Sequence, residues 1–105
     1  MRRVNRAKLM AYIGFAARAR KCQSGDFTCE KLVKTKKAKL IILDAGASGN
    51  TREKYKAMCE NAGIECICID ELGRQIGKPS HKIAAVTDRH FAEIIRQAYE
   101  APEQA

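Results

Sequence analysis

The segment Lys39-Leu40-Ile41-Ile42-Leu43 constrains the fold more than any other part of this 105-residue chain. Its four aliphatic residues run without alternation, so a strand built from them has two apolar faces and needs cover on both. Helical periodicity lies on either side of it. Before it, Leu9, Ile13 and Ala16 recur at i, i+4 and i+7, with Met10 and Ala17 widening the stripe and Lys8 and Arg18 opposite. That pattern predicts a helix from about Asn5 to Arg18. Arg20 to Gly25 breaks the pattern and leaves room for a turn and a short edge strand. A second helix follows, with Asp26 expected as its N-cap and Cys29, Leu32 and Val33 turned inward. Glu30 and Lys34 sit one turn apart as a favourable pair.

After the strand, Asp44 to Gly49 reads as a loop of small residues. Asn50 with Glu53 resembles a capping box, and Tyr55, Met58, Cys59 and Ala62 give a third helical stripe that Gly63 ends. Cys66 to Ile69 is the next expected strand. Asp70 is expected to cap a short helix holding Leu72 and Ile76 and closed by Gly77. The loop from Lys78 to Lys82 leads into a last strand, Ile83 to Thr87. Asp88 then caps a helix with Phe91, Ile94, Ile95 and Ala98 inward. Strands alternating with helices predict an α/β sandwich with helices on both faces of a small sheet. The length suffices for the core of one domain spanning residues 1–105, with 1–4 and 101–105 expected to fray.

Charge is distributed unevenly along this framework. Of the 20 Lys and Arg residues, twelve fall within positions 1–39, beside only Asp26 and Glu30, so that the whole excess of +8 comes from one end. Such asymmetry bears on partners rather than fold, and a polyanion, above all nucleic acid, is the expected one. A well-solvated basic surface would show the same composition. No apolar run approaches the roughly 20 residues that span a bilayer, and the basic N-terminal segment is not followed by a signal-peptide pattern. The five cysteines, Cys22, Cys29, Cys59, Cys66 and Cys68, are an odd number set in apolar patterns. They are expected as reduced thiols in the cytoplasm. Cys66 and Cys68 share one face of a strand and read as small core residues rather than a zinc knuckle. No metal and no cofactor is expected.

Three local constellations compete for function. The loop Gly46 to Thr51 stands where phosphate-binding loops stand, but it lacks the Walker lysine and the dinucleotide glycine spacing, and turn formation accounts for its residues. It supports a rival reading as a nucleotide-binding or enzymatic module. His81, in a basic loop, and His90, in the first turn of the last helix, have no evident catalytic partner. The run Lys21 to Lys31 opens a helix on a glycine with lysines one turn on, a geometry that lets backbone amides and ammonium groups approach phosphates. A basic face docking an acidic protein of the translation or transcription machinery is a further alternative.

Taken in order, several segments resemble the kink-turn-binding ribosomal proteins of archaea and eukaryotes and their small bacterial relatives. They are Ile13-Gly14-Phe15-Ala16-Ala17-Arg18-Ala19-Arg20-Lys21, Ser24-Gly25-Asp26, Ala38 to Leu43, Asp44-Ala45, Ser48 and Asn50-Thr51. Leu72-Gly73-Arg74, Ile76-Gly77-Lys78 and Ala85-Val86-Thr87-Asp88 complete the set, which spans roughly residues 8–99. The resemblance implies a three-layer α-β-α sandwich with a four-stranded mixed sheet. It also implies RNA binding through the start of the second helix and the loop before the last strand, and the expected protein is a non-catalytic monomer that binds structured RNA. Together with the basic run and loop, the residues expected to contact RNA are Lys21, Ser24, Gly25, Asp26, Phe27, Thr28, Lys31, Lys34, Lys78, His81 and Lys82. In the family a Gly-x-Asn-Glu-x-x-Lys segment opens that helix. Here Gly25 and Lys31 match, while Phe27 stands in place of Asn and Thr28 in place of Glu. Asn and Glu hydrogen-bond base edges, whereas Phe stacks on a base or packs into a core, and Thr is short. The second loop departs too, with Lys78-Pro79-Ser80 where the family shows an apolar segment.

Overall fold

The computed structural model describes residues 6–100, so Asn5 and the ends expected to fray lie outside the described residues. The elements follow in the order α1 (Arg6–Arg18), β1 (Cys22–Ser24), α2 (Asp26–Lys34), β2 (Leu40–Asp44), α3 (Gly49–Ala62), β3 (Glu65–Ile69), α4 (Leu72–Ile76), β4 (Ile83–Val86) and α5 (Arg89–Glu100). The strands form one sheet in the order β1-β4-β2-β3. β4 runs antiparallel to both β1 and β2, and β2 runs parallel to β3, which makes the sheet mixed as expected.

The apolar run that opened the sequence is covered on both sides. Leu40 and Ile42 join Leu9, Ile13, Ile67, Val86 and Ile95 in a core under α1, α4 and α5. Ile41 and Leu43 join Cys29, Val33, Tyr55, Cys59 and Ile83 in a second core under α2 and α3. Each fully buried aliphatic side chain contributes roughly 1.5–3 kcal/mol through water released from its surface, so β2, buried along its whole length, anchors both layers. Burial also pushes the Cys22 and Cys29 thiols up to about 12, which keeps them protonated and unreactive.

Several local expectations need correction. Cys66 packs against the second core, but Cys68, on the same strand face, is exposed. β3 is one of the two edge strands, and the cover on that face reaches Cys66 beside Cys59 without extending to Cys68. The N-cap of α3 is Ser48, whose Oγ accepts from the Thr51 amide at 3.2 Å, and Asn50 already lies inside the helix. Asp70 does not cap α4. The Leu72 amide there donates to Oδ1 of Asp44 at 2.8 Å, a carboxylate 28 residues earlier at the end of β2. Asp88 does cap α5 as expected, accepting from the Phe91 amide at 2.9 Å. In α5 the buried residues are Ala92, Ile95 and Ala98, with Phe91 partly buried against the first core.

The loop before β4 is held by close backbone packing. A Cβ on Gly73 would lie 2.6 Å from the Lys78 carbonyl oxygen, so only glycine permits α4 to lie this close to the loop. The Lys78 amide in turn donates to the Gly73 carbonyl at 2.8 Å, and the His81 amide donates to the Lys78 carbonyl at 2.9 Å. These bonds present residues 78–82 at the end of the sheet beside the start of α2.

Candidate nucleic-acid interface

The start of α2 is fixed by its neighbours in the sheet. The Gly25 amide donates to the Ile83 carbonyl at 3.0 Å, and Ser24 Oγ lies 2.7 Å from Nδ1 of His81. Two segments 57 residues apart in sequence therefore meet at a short hydrogen bond. Gly25 adopts φ 102 and ψ 146, a conformation open essentially to glycine alone. It turns the chain from β1 into the helix at that point.

Asp26 is not the N-cap. Gly25 occupies that place, no side chain caps the helix, and Asp26 is the first helical residue. Its carboxylate points instead across to α3, where Oδ1 accepts from the Tyr55 hydroxyl at 2.6 Å and from Lys54 Nζ at 3.2 Å. The Tyr55 hydrogen bond, reinforced by Lys54, holds the Asp26 carboxyl below its usual range. Lys54 also pairs with Glu30 at 3.0 Å, and Glu30 with Lys34 at 3.1 Å. One lysine on α3 thus neutralises both acids of α2, so the exposed Lys31 faces solvent beside acids already matched elsewhere. Lys54 does not stand out in the sequence, because its partners lie on another helix.

Two clefts flank the helix start. The first, of about 340 Å³, is lined by Gly25, Asp26, Gly46, Ser48, Thr51 and Ser80 to Ile83. The second, of about 400 Å³, is lined by Ala17, Arg20, Cys22, Gln23, Ser24, Thr28, Ile76 and Lys78. Of the residues singled out from sequence, Gly25, Asp26, His81 and Lys82 meet at the first cleft and Ser24, Thr28 and Lys78 at the second. Lys31 and Lys34 continue along α2, and Lys21 stands exposed before β1, outside both clefts. Sequence reasoning did not assign Arg20 and Gln23 to the site. Their signal was available only as part of the basic turn after α1.

Phe27 does not belong to the core. It is 83% exposed, the more exposed of the two large apolar side chains that face solvent among the described residues. The loop of the rival reading, Gly46 to Thr51, borders the first cleft, but its Gly46, Ala47 and Thr51 amides are engaged within the protein. The Gly46 amide donates to Asp44 Oδ2 at 2.7 Å and the Thr51 amide to Ser48 Oγ. Burial opposes charge on Asp44. The Gly46 and Leu72 amides and the Lys82 ammonium, 3.6 Å away, outweigh it and hold the carboxyl below the usual range. A carboxylate kept ionised inside a loop repels phosphate, so this geometry does not suit a nucleotide.

A sandwich with an uncapped, lysine-flanked helix start beside a basic loop defines a class of small basic α/β proteins. The chain belongs to the ribosomal protein L7Ae/L30e/S12e/Gadd45 family, whose model matches residues 7–95. It is 37% identical over 83 residues to the RNA-binding protein YlxQ of Bacillus subtilis, covering 76% of this chain and 83% of that one. It is 31% identical over 99 residues to the RNA-binding protein YlxQ of Enterococcus faecium, covering 91% and 95%. Among solved structures, a protein of unknown function from Bacillus halodurans superposes with a TM-score of 0.83 at 29% identity, covering 88% of this chain and 96% of that one. A Giardia lamblia 15.5 kD RNA binding protein superposes at 0.72 and 22% identity, covering 90% and 87%, and that likeness speaks to the fold alone.

Proposed function

We propose that the chain is a non-catalytic, cytoplasmic RNA-binding protein that grips structured RNA at the start of α2 and the loop from Lys78 to Lys82. The observation that carries this reading is the Ser24–His81 hydrogen bond, which makes one surface of two segments that the family resemblance assigns separately to RNA. Lys21, Lys31, Lys34, Lys78 and Lys82 contact phosphates. Gly25 lets the backbone approach, and Ser24, Phe27, Thr28 and His81 meet the bases or sugars. Asp26 serves the site indirectly, by tying α2 to Tyr55 and Lys54. Kink-turn RNA is the class of structured RNA to try first, because the family resemblance names it.

Ammonium groups that bind phosphates release counterions, so affinity must fall steeply with salt. Titration of a kink-turn RNA between 50 and 200 mM salt tests this, with about 3 to 5 phosphate contacts expected from the lysines named. An affinity that hardly changes over that range removes the phosphate-contact model. Crosslinking and sequencing of the RNA bound in cells then identifies the natural ligand. A partner protein recovered after RNase treatment, with no crosslinked RNA, would favour the protein-docking alternative.

A further inference from the structure

An isolated exposed apolar side chain is ordinary on a protein surface, so the exposure of Phe27 means nothing without its surroundings. The other exposed phenylalanine provides the contrast. The Phe15 ring is covered by the Arg18 guanidinium at 5.0 Å, whereas no ring or cation of the described residues lies over Phe27. Phe27 also stands between Asp26, which lines the first cleft, and Thr28, which lines the second. The second cleft is lined in part by the apolar residues Ala17, Cys22 and Ile76. Gln23 and Thr28 add polar side chains to that lining, and Arg20 and Lys78 add positive charge.

We propose that Phe27 is a stacking platform for an unpaired base, and that the next nucleotide of the same strand lies in the cleft of Arg20, Gln23, Thr28 and Lys78. This rests on the RNA-binding reading above and gives Phe27, which stands where the family segment has Asn, a different contact: it takes the face of a base rather than its edge. The chemistry of each part fits these contacts. A bare aromatic ring accepts the π-face of any base without distinguishing its edge. The amide of Gln23 and the hydroxyl of Thr28 can exchange hydrogen bonds with a base edge, and the two cations can take the phosphates on either side. An apolar protein partner fits less well, because Phe15 is the only other large exposed apolar side chain among the described residues and Phe27 lies on a helix that carries Lys31 and Lys34. A base stacks among ammonium groups without desolvating them, since its own phosphates need them.

The chain contains no tryptophan, so Phe27→Trp introduces a single emission reporter at the site. The wild type, Phe27→Ala, Phe27→Trp and Lys78→Ala are titrated with an RNA hairpin carrying a three-purine bulge and with the same hairpin fully paired. The wild type is expected to prefer the bulged hairpin. Phe27→Ala weakens binding to the bulged hairpin by about tenfold, as loss of one stacked base requires. Its effect on the fully paired hairpin, which offers no unpaired base to stack, is smaller. Phe27→Trp keeps the affinity, and its emission is quenched by the bulged hairpin alone. Lys78→Ala weakens both hairpins and lowers the salt slope. Equal affinities of the wild type and Phe27→Ala for the bulged hairpin overturn the stacking assignment while leaving RNA binding intact. Failure of the wild type to bind either hairpin at 50 mM salt overturns the RNA reading itself. If Phe27→Ala keeps its RNA affinity but loses an RNase-resistant protein partner, the surface serves protein and the stacking assignment is wrong.

Discussion

The starts of α2 and α3 border the same cleft, and a side chain caps the second but not the first. At α3, Ser48 accepts from the Thr51 amide, and Asp44 accepts from Gly46 just upstream and from Leu72 at the start of α4. At α2 no side chain caps the helix, and the amides of Asp26, Phe27 and Thr28 find no acceptor among the described residues. The first arrangement spends its polar groups on holding the protein together. The second leaves donors, a bare ring and lysines facing outward, at a cost in helix stability that a bound anion can offset. The two starts are therefore assigned different tasks, and the assignment can be tested by substitutions that change stability at one and binding at the other.

The largest effect is expected at Asp44. It is 6% exposed and accepts two amide bonds, so Asp44→Ala strands the Leu72 amide in a buried position. Loss of hydrogen bonds to a charged acceptor predicts a destabilisation of about 3 kcal/mol in urea denaturation. The same contact gives a pH dependence of known sign. The folded pKa of Asp44 lies below its unfolded value of about 3.9. The stability it contributes is complete above that value and declines as pH falls through the lower folded pKa. The variant should lose this part of the acid sensitivity, and an unchanged acid limb of the stability curve would show that Asp44 does not supply it.

Next in size is Gly25→Ala. At φ 102 and ψ 146 an added Cβ is strained although it would meet only the His81 ring, no closer than an ordinary 3.6 Å. The strain predicts a loss of about 2 kcal/mol, together with weaker RNA binding as the start of α2 shifts. Retained affinity in a destabilised Gly25→Ala would separate the backbone turn from the contact surface. Ser48→Ala is the matching change across the cleft. Removal of an exposed N-cap costs about 1 kcal/mol, and RNA affinity should stay as it was. A drop in affinity from Ser48→Ala would mean that the α3 start is part of the RNA surface after all.

The capping residues mark where the sequence stops being legible. The layers, the mixed sheet and the buried β2 follow from periodicity, because the burial of alternate side chains is written locally in residues such as Leu40 to Leu43. Asp88 caps α5 as expected because its partner, Phe91, is three residues away. Asp26, Asn50 and Asp70 look like caps by the same rule and are not. Tyr55 and Lys54 draw Asp26 away from its own helix, Ser48 takes the place expected of Asn50, and Asp44 reaches α4 from another strand. Each outcome depends on a competitor for the same donor or acceptor, two of them distant in sequence. The site was legible in the same uneven way. Family resemblance located Gly25 and the basic loop, but the second cleft, with Arg20 and Gln23, exists only once α1, β1 and α4 are packed together.

The smallest expected effect on stability is also the finest test of the open helix start. Lys31 and Lys34 are both exposed lysines of α2, and sequence alone treats them as equals. The structure separates them. Lys34 pairs with Glu30 at 3.1 Å, whereas Lys31 has no ion-pair partner among the described residues. A lysine already matched to a carboxylate gives up that pairing to reach a phosphate, so its net counterion release is smaller. Replacing either with Ala should change stability by no more than about 0.5 kcal/mol, as for most surface sites. Lys31→Ala should lower the slope of log affinity against log salt by about one, and Lys34→Ala by less. Glu30→Ala should then raise the contribution of Lys34 by releasing it. If Lys34→Ala reduces the slope as much as Lys31→Ala in the presence of Glu30, the ion pair across this turn of α2 does not tune RNA contact.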